Sequence, residues 1–175
     1  MSSQPTLFLM VGFPGAGKTT AAKYIHELTG ALHVWADQER RQRFPNPTHS
    51  HEENLQLYAQ LNVEVRQLLH DGQSVIFDTN FSFYKDRKRL RKIAAKEGAR
   101  TVVVWITTSK DLARDRATVR SQGQSTRVWG NMPLQHFERM SRNLQPPLPA
   151  EQALRIDGTA MTLETVRQAL AAIPA

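Results

Sequence analysis

The sequence contains no cysteine, which excludes disulfide bonds and metal sites built on thiolates. Long apolar runs are missing as well: the longest are the length of a strand, too short to cross a bilayer as a helix. The apolar run near the N-terminus has no basic residues ahead of it and ends in a glycine-rich stretch, unlike a signal peptide. We therefore expect a cytoplasmic protein with no membrane partner.

Negative charge is the less abundant, since 16 acidic residues stand against 23 lysines and arginines and the formal net charge is +7. Such a balance is compatible with a polyanionic partner. Much of the excess lies in one short segment, where six basic residues accompany the single acidic residue Asp86. The basic residues of this segment are Lys85, Arg87, Lys88, Arg89, Arg91 and Lys92.

Hydrophobic residues make up 40% of the 175 residues, enough for a substantial core, and the length predicts a single domain over residues 1–175. Apolar periodicity predicts strands over 6–11, 32–36, 74–77, 101–106 and 154–157. It predicts helices over 18–28, 52–70, 83–96, 111–121, 133–143 and 163–173. The polar residues 40–50, with two prolines, are predicted to form a loop. This alternation indicates an α/β fold, with a mostly parallel five-stranded sheet covered by helices on both faces.

The segment GFPGAGKT, residues 12–19, matches the pattern of a phosphate-binding loop and lies between a predicted strand and a predicted helix. Glycines let backbone N–H groups approach phosphate oxygens, and the helix directs its positive N-terminal end at the same anion. Lys18 is predicted to reach the β- and γ-phosphates, and the Thr19 hydroxyl to coordinate Mg²⁺. The predicted nucleotide contacts are Gly12, Phe13, Pro14, Gly15, Ala16, Gly17, Lys18, Thr19 and Thr20.

Two acidic residues stand where predicted strands end. Asp78 follows an apolar strand and is the predicted second ligand of Mg²⁺, because ligands of open α/β sheets bind at the carboxyl ends of the strands. Asp37 follows another strand and suits a general base that accepts a proton from an attacking hydroxyl. Arg40, three residues on, is a candidate contact for the acceptor. The alternative interpretation treats both acids as caps and Arg40 as a solvated charge.

Arginines in the segment 111–131 indicate a lid. Arg116 and Arg120 are four residues apart and share one face of a predicted helix, which precedes a Gly/Ser/Gln-rich loop. Closing over the nucleotide, they would stabilise charge on a transferring phosphoryl group. Arg114 and Arg127 are alternatives for this role, and a solvated charged helix remains the alternative structure.

With these elements in order, the chain resembles the P-loop kinases of the polynucleotide 5'-hydroxyl kinase type. More broadly, it is similar to small ATP-dependent kinases such as gluconate kinase, chloramphenicol phosphotransferase and zeta-toxin-like enzymes. The matching segments are GFPGAGKTT, Asp37-Gln38-Glu39-Arg40, Asp78-Thr79-Asn80 and residues 116–120. One departure is Ala36, at a position where polynucleotide kinases often carry a basic residue.

This resemblance implies a P-loop NTPase fold with an arginine-bearing lid, and ATP and Mg²⁺ as cofactors. It implies that Asp37 is the general base, that Arg40 faces the acceptor and that Arg116 and Arg120 bind nucleotide phosphates. It also implies that Asp157 and Thr159 border the adenine.

The acceptor stays open at this point. A polynucleotide 5'-hydroxyl would use the basic segment 85–92 as a docking face, whereas a small-molecule acceptor such as a sugar, nucleoside or antibiotic would leave that segment as a solvated surface. A protein of another class, a non-catalytic ATP-dependent nucleic-acid-binding module, is also compatible with the motifs.

Overall fold

A computed structural model describes residues 4–119 and 132–173 of the chain. Within these ranges, five strands form one parallel sheet in the order β2-β3-β1-β4-β5. The strands are β1 (Thr6–Val11), β2 (Leu32–Trp35), β3 (Val75–Asp78), β4 (Arg100–Ile106) and β5 (Leu154–Ile156). The predicted α/β fold with a parallel sheet is confirmed. Because β1 is the central strand, the loop that follows it lies in the middle of the row formed by the carboxyl ends of the strands.

Helices connect the strands and cover both faces of the sheet. They are α1 (Lys18–Thr29), α2 (Ala36–Arg43), α3 (His51–His70), α4 (Tyr84–Lys96), α5 (Lys110–Thr118), α6 (Leu134–Arg142) and α7 (Leu163–Ala171). The predicted lid is described up to residue 119, and Arg120 and Arg127 lie outside the described residues. None of the helices in the described ranges has the length and apolar character needed to cross a membrane.

The central strand β1 contributes to two separate cores. Its residues Leu7 and Leu9 pack with α3 and α4 on one face, whereas Phe8 and Met10 pack with α1 and α7 on the other. Successive side chains of a strand point to opposite faces, so a strand buried on both sides is apolar throughout. All six residues of β1 are buried, which fixes the strand and the start of the following loop in the interior.

Helix α2 ends with residues 40–43, which the sequence assigns to a loop, so the loop prediction is wrong for these four residues. The segment has almost no apolar periodicity, but acidic residues in its first turn and basic residues in its last turn complement the helix dipole. Its buried residues are Ala36 and Arg40, one turn apart. The buried face of α2 thus contains an arginine where most helices have an apolar residue. For this reason apolar periodicity does not detect the helix.

The basic segment of α4 contains one residue with a structural role. Arg87 is fully buried, and its guanidinium donates to both carboxylate oxygens of Glu151, at 2.7 and 2.8 Å. It also donates to the carbonyl oxygens of Phe81 (2.8 Å) and Gln145 (3.1 Å). The prediction that Arg87 contacts nucleic acid is therefore corrected, because its charge and donors are used inside the protein.

The remaining basic residues of this segment differ in exposure. Lys85, Lys88, Arg89 and Lys92 are exposed, and Arg91 is half-buried, within electrostatic reach of Glu151. The acidic partner on this surface is Asp86, at 3.8 Å from Arg89. Four cationic side chains thus remain available on one side of α4.

Candidate active site

The phosphate-binding loop joins the buried β1 to the N-terminus of α1. The side chain of Lys18 folds back over this loop, and its Nζ donates to the carbonyl oxygens of Gly12 (3.0 Å) and Phe13 (2.9 Å). No side chain caps the start of α1 in the described part of the chain. The first N–H groups of the helix therefore remain available to an anion.

Helix α5 supports one side of the loop. Gly15 has a φ of 79° and lies directly against the backbone of α5, where a Cβ would collide with the carbonyl oxygen of Ala113. On the neighbouring surface, Phe13 packs on a small cluster that includes Ala117 and Phe137. The loop and the described base of the predicted lid are therefore in direct contact.

Residues that follow β4 and β5 support the other side of the loop. The hydroxyl of Thr108 donates to the carbonyl oxygen of Ala16 at 2.7 Å. Gly158 packs on both groups, so closely that a Cβ at this position would collide with them. The loop is thus held between α5 on one side and the residues after β4 and β5 on the other.

Replacing Gly158 by alanine is expected to displace Ala16 and weaken nucleotide binding, with a loss of about 1–3 kcal/mol in the free energy of unfolding. Titration with a nucleoside triphosphate and chemical denaturation measure the two effects. Gly98→Ala is the control, because Gly98 has a φ of 70° and no atoms near the position of a Cβ. The control should lose stability without a change in nucleotide affinity; an unchanged affinity in Gly158→Ala would contradict the support role of the turn.

Asp78 ends β3 beside the loop, where it is almost fully buried, and its carboxylate contacts the imidazole of His33. The distance between His33 Nε2 and Asp78 Oδ2 is 3.1 Å. In the register of β2 and β3, His33 pairs with Ile76. Asp78 lies two residues after Ile76, so its side chain is on the same face of the sheet as that of His33. Sequence reasoning missed His33, because its contact depends on a strand register that local patterns do not give.

Asp37 lies in the first turn of α2, at the carboxyl end of β2. Asp37 is exposed to solvent, yet the protein around it removes part of its hydration, and this desolvation raises the pKa of Asp37, as does the negative charge of Asp78. The positive charges of Lys18, Arg40 and His49 lower the pKa of Asp37 and only partly offset these effects. The result is a carboxyl group that binds protons more readily than an ordinary aspartate.

Lys18 belongs to the same group of charges. Desolvation lowers the pKa of Lys18, and the negative charges of Asp78 and Asp37 oppose this decrease. One cation and two carboxylates therefore interact at the adjacent carboxyl ends of β1, β2 and β3. Perturbed ionisable groups in a cleft are typical of catalytic sites.

Arg40 is buried against α3. It forms an ion pair with Glu53 and donates to Asn54 Oδ1 at 2.6 Å. Burial acts to raise the pKa of Glu53, but hydrogen bonds from Thr48 and Arg40 hold that pKa at about 2. Both Nη atoms of Arg40 are thus engaged within the protein, and its influence on Asp37 is electrostatic; direct contact with an acceptor stays a prediction.

Arg116 contacts the turn after β5, and its contact with nucleotide phosphates stays a prediction. Its guanidinium donates to the carbonyl oxygens of Gly158 (2.7 Å) and Thr159 (3.2 Å), in the turn after β5. In the same turn, Asp157 accepts a hydrogen bond from the backbone N–H of Thr159, which lowers the pKa of Asp157. In this structure Arg116 is therefore bound to the turn expected to border the adenine.

The chemistry of Thr19 and Asp78 fits Mg²⁺. This ion prefers oxygen ligands and is usually held by one or two protein groups together with water and substrate phosphates. A threonine hydroxyl at the start of α1 and a carboxylate at the end of the adjacent β3 provide oxygen donors on the side of the loop where phosphates would bind.

The parallel sheet of order β2-β3-β1-β4-β5, the loop after β1 and the acidic end of β3 together define a P-loop NTPase. Comparison with family descriptions agrees with this class. The family AAA_33, described as an AAA domain, matches residues 7–147. The chain belongs to this family.

Solved structures of P-loop kinases share the fold. A candidate kinase of Chloroflexus aurantiacus superposes with a TM-score of 0.75 at 21% identity, covering 98% of this chain and 96% of that one. A gluconokinase of Sinorhizobium meliloti gives 0.66 at 18% identity, covering 97% and 91%. A chain of the Pnkp1/Rnl/Hen1 RNA repair complex gives 0.67 at 18% identity, covering 87% and 46%. At these levels of sequence identity, the similarity shows a shared fold and no more.

Two curated relatives come from mycobacteria. "Uncharacterized protein Rv2004c" of Mycobacterium tuberculosis and "Uncharacterized protein Mb2027c" of Mycobacterium bovis are each 30% identical over 131 residues, or 68% of this chain. The match covers 26% of each relative, so the chain spans about a quarter of their length.

Proposed function

We propose that the protein is an ATP-dependent kinase that transfers the γ-phosphate of MgATP to a hydroxyl acceptor. The observation that carries this proposal is the group of three interacting charges, in which a phosphate-loop lysine lies beside a metal-type carboxylate and a second carboxylate with a raised pKa. A protein that only binds nucleotide needs no base of this kind. A kinase needs one, because the acceptor hydroxyl must lose its proton.

In the proposed reaction, the Asp37 carboxylate accepts the proton of the acceptor hydroxyl. The acceptor oxygen forms a bond to the γ-phosphorus, the bond from that phosphorus to the β–γ bridging oxygen breaks, and ADP leaves with the electron pair. Lys18 exchanges its loop carbonyls for phosphate oxygens and neutralises charge as it develops. Bound through Thr19 and Asp78, Mg²⁺ would supply further neutralisation of the β- and γ-phosphates.

A polynucleotide 5'-hydroxyl is our first candidate for the acceptor. Its support is the exposed basic side of α4, which begins six residues after the acidic end of β3. Phe83 is partly exposed just before this helix, with Lys85 Nζ at 5.5 Å from its ring centroid. Cations that contact phosphates next to an aromatic ring that stacks on a base are the usual means of binding single strands.

A small-molecule hydroxyl is the second candidate, supported by the fold that this chain shares with the gluconokinase. The two acceptors are separated by measuring transfer of labelled γ-phosphate to 5'-hydroxyl oligonucleotides and, in parallel, to sugars, nucleosides and antibiotics. If no acceptor is phosphorylated while oligonucleotides bind with a steep salt dependence, the protein is a nucleotide-dependent binding module and the kinase proposal fails.

If the acceptor is a polynucleotide, the double variant Lys88→Glu/Arg89→Glu should raise the KM for the oligonucleotide at least about tenfold without changing the KM for ATP. The salt dependence of oligonucleotide binding should also become shallower, by about one unit of slope per lost phosphate contact. The control is Arg66→Glu/Arg167→Glu, which reverses two exposed arginines on α3 and α7. Equal effects of the two double variants would contradict a docking role for α4.

A further inference from the structure

The contact between His33 and Asp78 lies on the metal side of the candidate site and is not explained by the proposed catalytic steps. The side chain of Asp78 is 3% exposed and that of His33 is 15% exposed, so water competes little for their hydrogen bond. Asp78 Oδ2 receives this bond, whereas Oδ1 receives none from the described residues. One oxygen of the carboxylate is therefore held by His33, and the other accepts no hydrogen bond from the described residues.

We propose that His33 is a positioning residue for the metal-binding carboxylate of Asp78. This inference rests on the proposed function, since it takes the ion of MgATP as the partner of Asp78. A carboxylate oxygen only accepts hydrogen bonds, so the shared proton is assigned to His33 Nε2. By donating it, His33 limits rotation of the carboxylate and presents Oδ1 in one orientation to Mg²⁺ or to a water bound to it. Groups that orient metal ligands in this way commonly change metal affinity about 10–100-fold when they are lost.

His33 is itself held in place by its neighbours in β2 and α1. Its imidazole stacks on the indole of Trp35 with ring centroids 6.0 Å apart and an interplanar angle of 12°. Lys23 Nζ lies 5.9 Å from the centroid of the Trp35 ring. Alternate residues of a strand share a face, so β2 aligns the two rings, and its pairing with β3 sets their distance from Asp78.

Two substitutions separate the hydrogen bond from the ring stacking. His33→Phe keeps a ring against Trp35 but has no donor, whereas His33→Gln keeps an N–H donor but has no ring. The matched controls are His70→Phe and His70→Gln. His70 Nδ1 makes a contact of the same length, 3.1 Å, with Glu97 Oε2 on the surface, remote from the loop.

The primary measurement is Mn²⁺ binding to the full chain with a non-hydrolysable ATP analogue, followed by loss of the free-ion signal in electron paramagnetic resonance. We expect His33→Phe to bind Mn²⁺ about tenfold more weakly, and His33→Gln and both His70 variants to stay within twofold of the wild type. Mn²⁺ affinity in His33→Phe within twofold of the wild type would overturn the proposal, even if that variant is less stable. Equal weakening by Phe and Gln would overturn it too, because the ring rather than the donor would then matter.

The Mg²⁺ dependence of phosphate transfer gives a second readout. In His33→Phe the Mg²⁺ concentration for half-maximal rate should rise about tenfold, with much of the rate recovered at saturating Mg²⁺. If the wild type binds Mn²⁺ and nucleotide but phosphorylates nothing, the kinase proposal fails while the Mn²⁺ measurement still tests His33. If transfer occurs and His33→Phe has normal Mn²⁺ affinity, only the role of His33 is lost.

Discussion

Lys18→Ala is expected to lower kcat/KM for phosphate transfer about 10²–10³-fold, the usual cost of losing one preorganised donor to developing charge. The structure gives the reason: the ammonium group is held over the loop by two carbonyl oxygens, within reach of any phosphate that binds there. Desolvation makes this charge more effective than an exposed lysine, because little water screens it. Single-turnover transfer of labelled phosphate at saturating MgATP would show whether the chemical step is affected.

Lys96→Ala is the control for this substitution, since Lys96 is exposed at the end of α4. It should behave like the wild type. Lys18→Arg adds a second comparison: it keeps the charge but places a larger planar group where two carbonyls hold a compact ammonium, and it should recover little activity. A Lys18→Ala protein that retains more than about a tenth of the wild-type rate would contradict the assigned role, given the expected range.

Asp37→Asn is expected to reduce kcat about 10²–10⁴-fold, the range attributed to general base catalysis. The amide has nearly the same shape as the carboxylate but cannot accept the proton of the acceptor. The matched control is Glu39→Gln, the same chemical change two residues along α2, at a side chain paired with Arg43. The control should keep its rate. Comparable losses in both variants would indicate damage to α2 and contradict a specific role for Asp37.

The raised pKa of Asp37 also predicts a pH dependence. A base works only when it is deprotonated, so kcat/KM of the wild type should fall as the pH decreases through the pKa of Asp37. This acid limb should lie above the ordinary aspartate value of 3.8, because desolvation and the charge of Asp78 favour the protonated form. In Asp37→Asn the remaining activity should lack this limb. An unshifted limb in the variant would assign it to another group.

The stability of Asp37→Asn distinguishes a lost base from a damaged fold. The folded state holds the proton of Asp37 more tightly than the unfolded state does, so ionisation of this carboxyl costs stability at pH values above the folded pKa. That cost disappears as the pH falls through the folded pKa toward 3.8. The asparagine variant should therefore unfold at a higher temperature than the wild type near neutral pH.

The sequence by itself determined the α/β alternation and the candidate phosphate site. A glycine-rich loop between an apolar strand and a helix is a local pattern, and its conformation depends on residues close along the chain. The positions of Asp37 and Asp78 after their strands could also be predicted from the sequence, because the ends of parallel strands meet at one edge whatever the side-chain packing. Apolar periodicity and the order of the motifs along the chain are enough to predict these features.

Only the tertiary structure decided which charged residues are used for chemistry and which for folding. Arg87 reads as part of a solvated basic helix, yet its partner Glu151 is 64 residues away. Similarly, the partner of Asp78 is His33, 45 residues away, through a contact set by the register of two strands. No periodic pattern in the sequence identifies the distant partner of a charged residue. The interaction energy of the ion pair also depends on whether water is excluded around it. Burial and register are properties of the assembled sheet and helices, and they convert charges that are alike in sequence into structural and candidate functional groups.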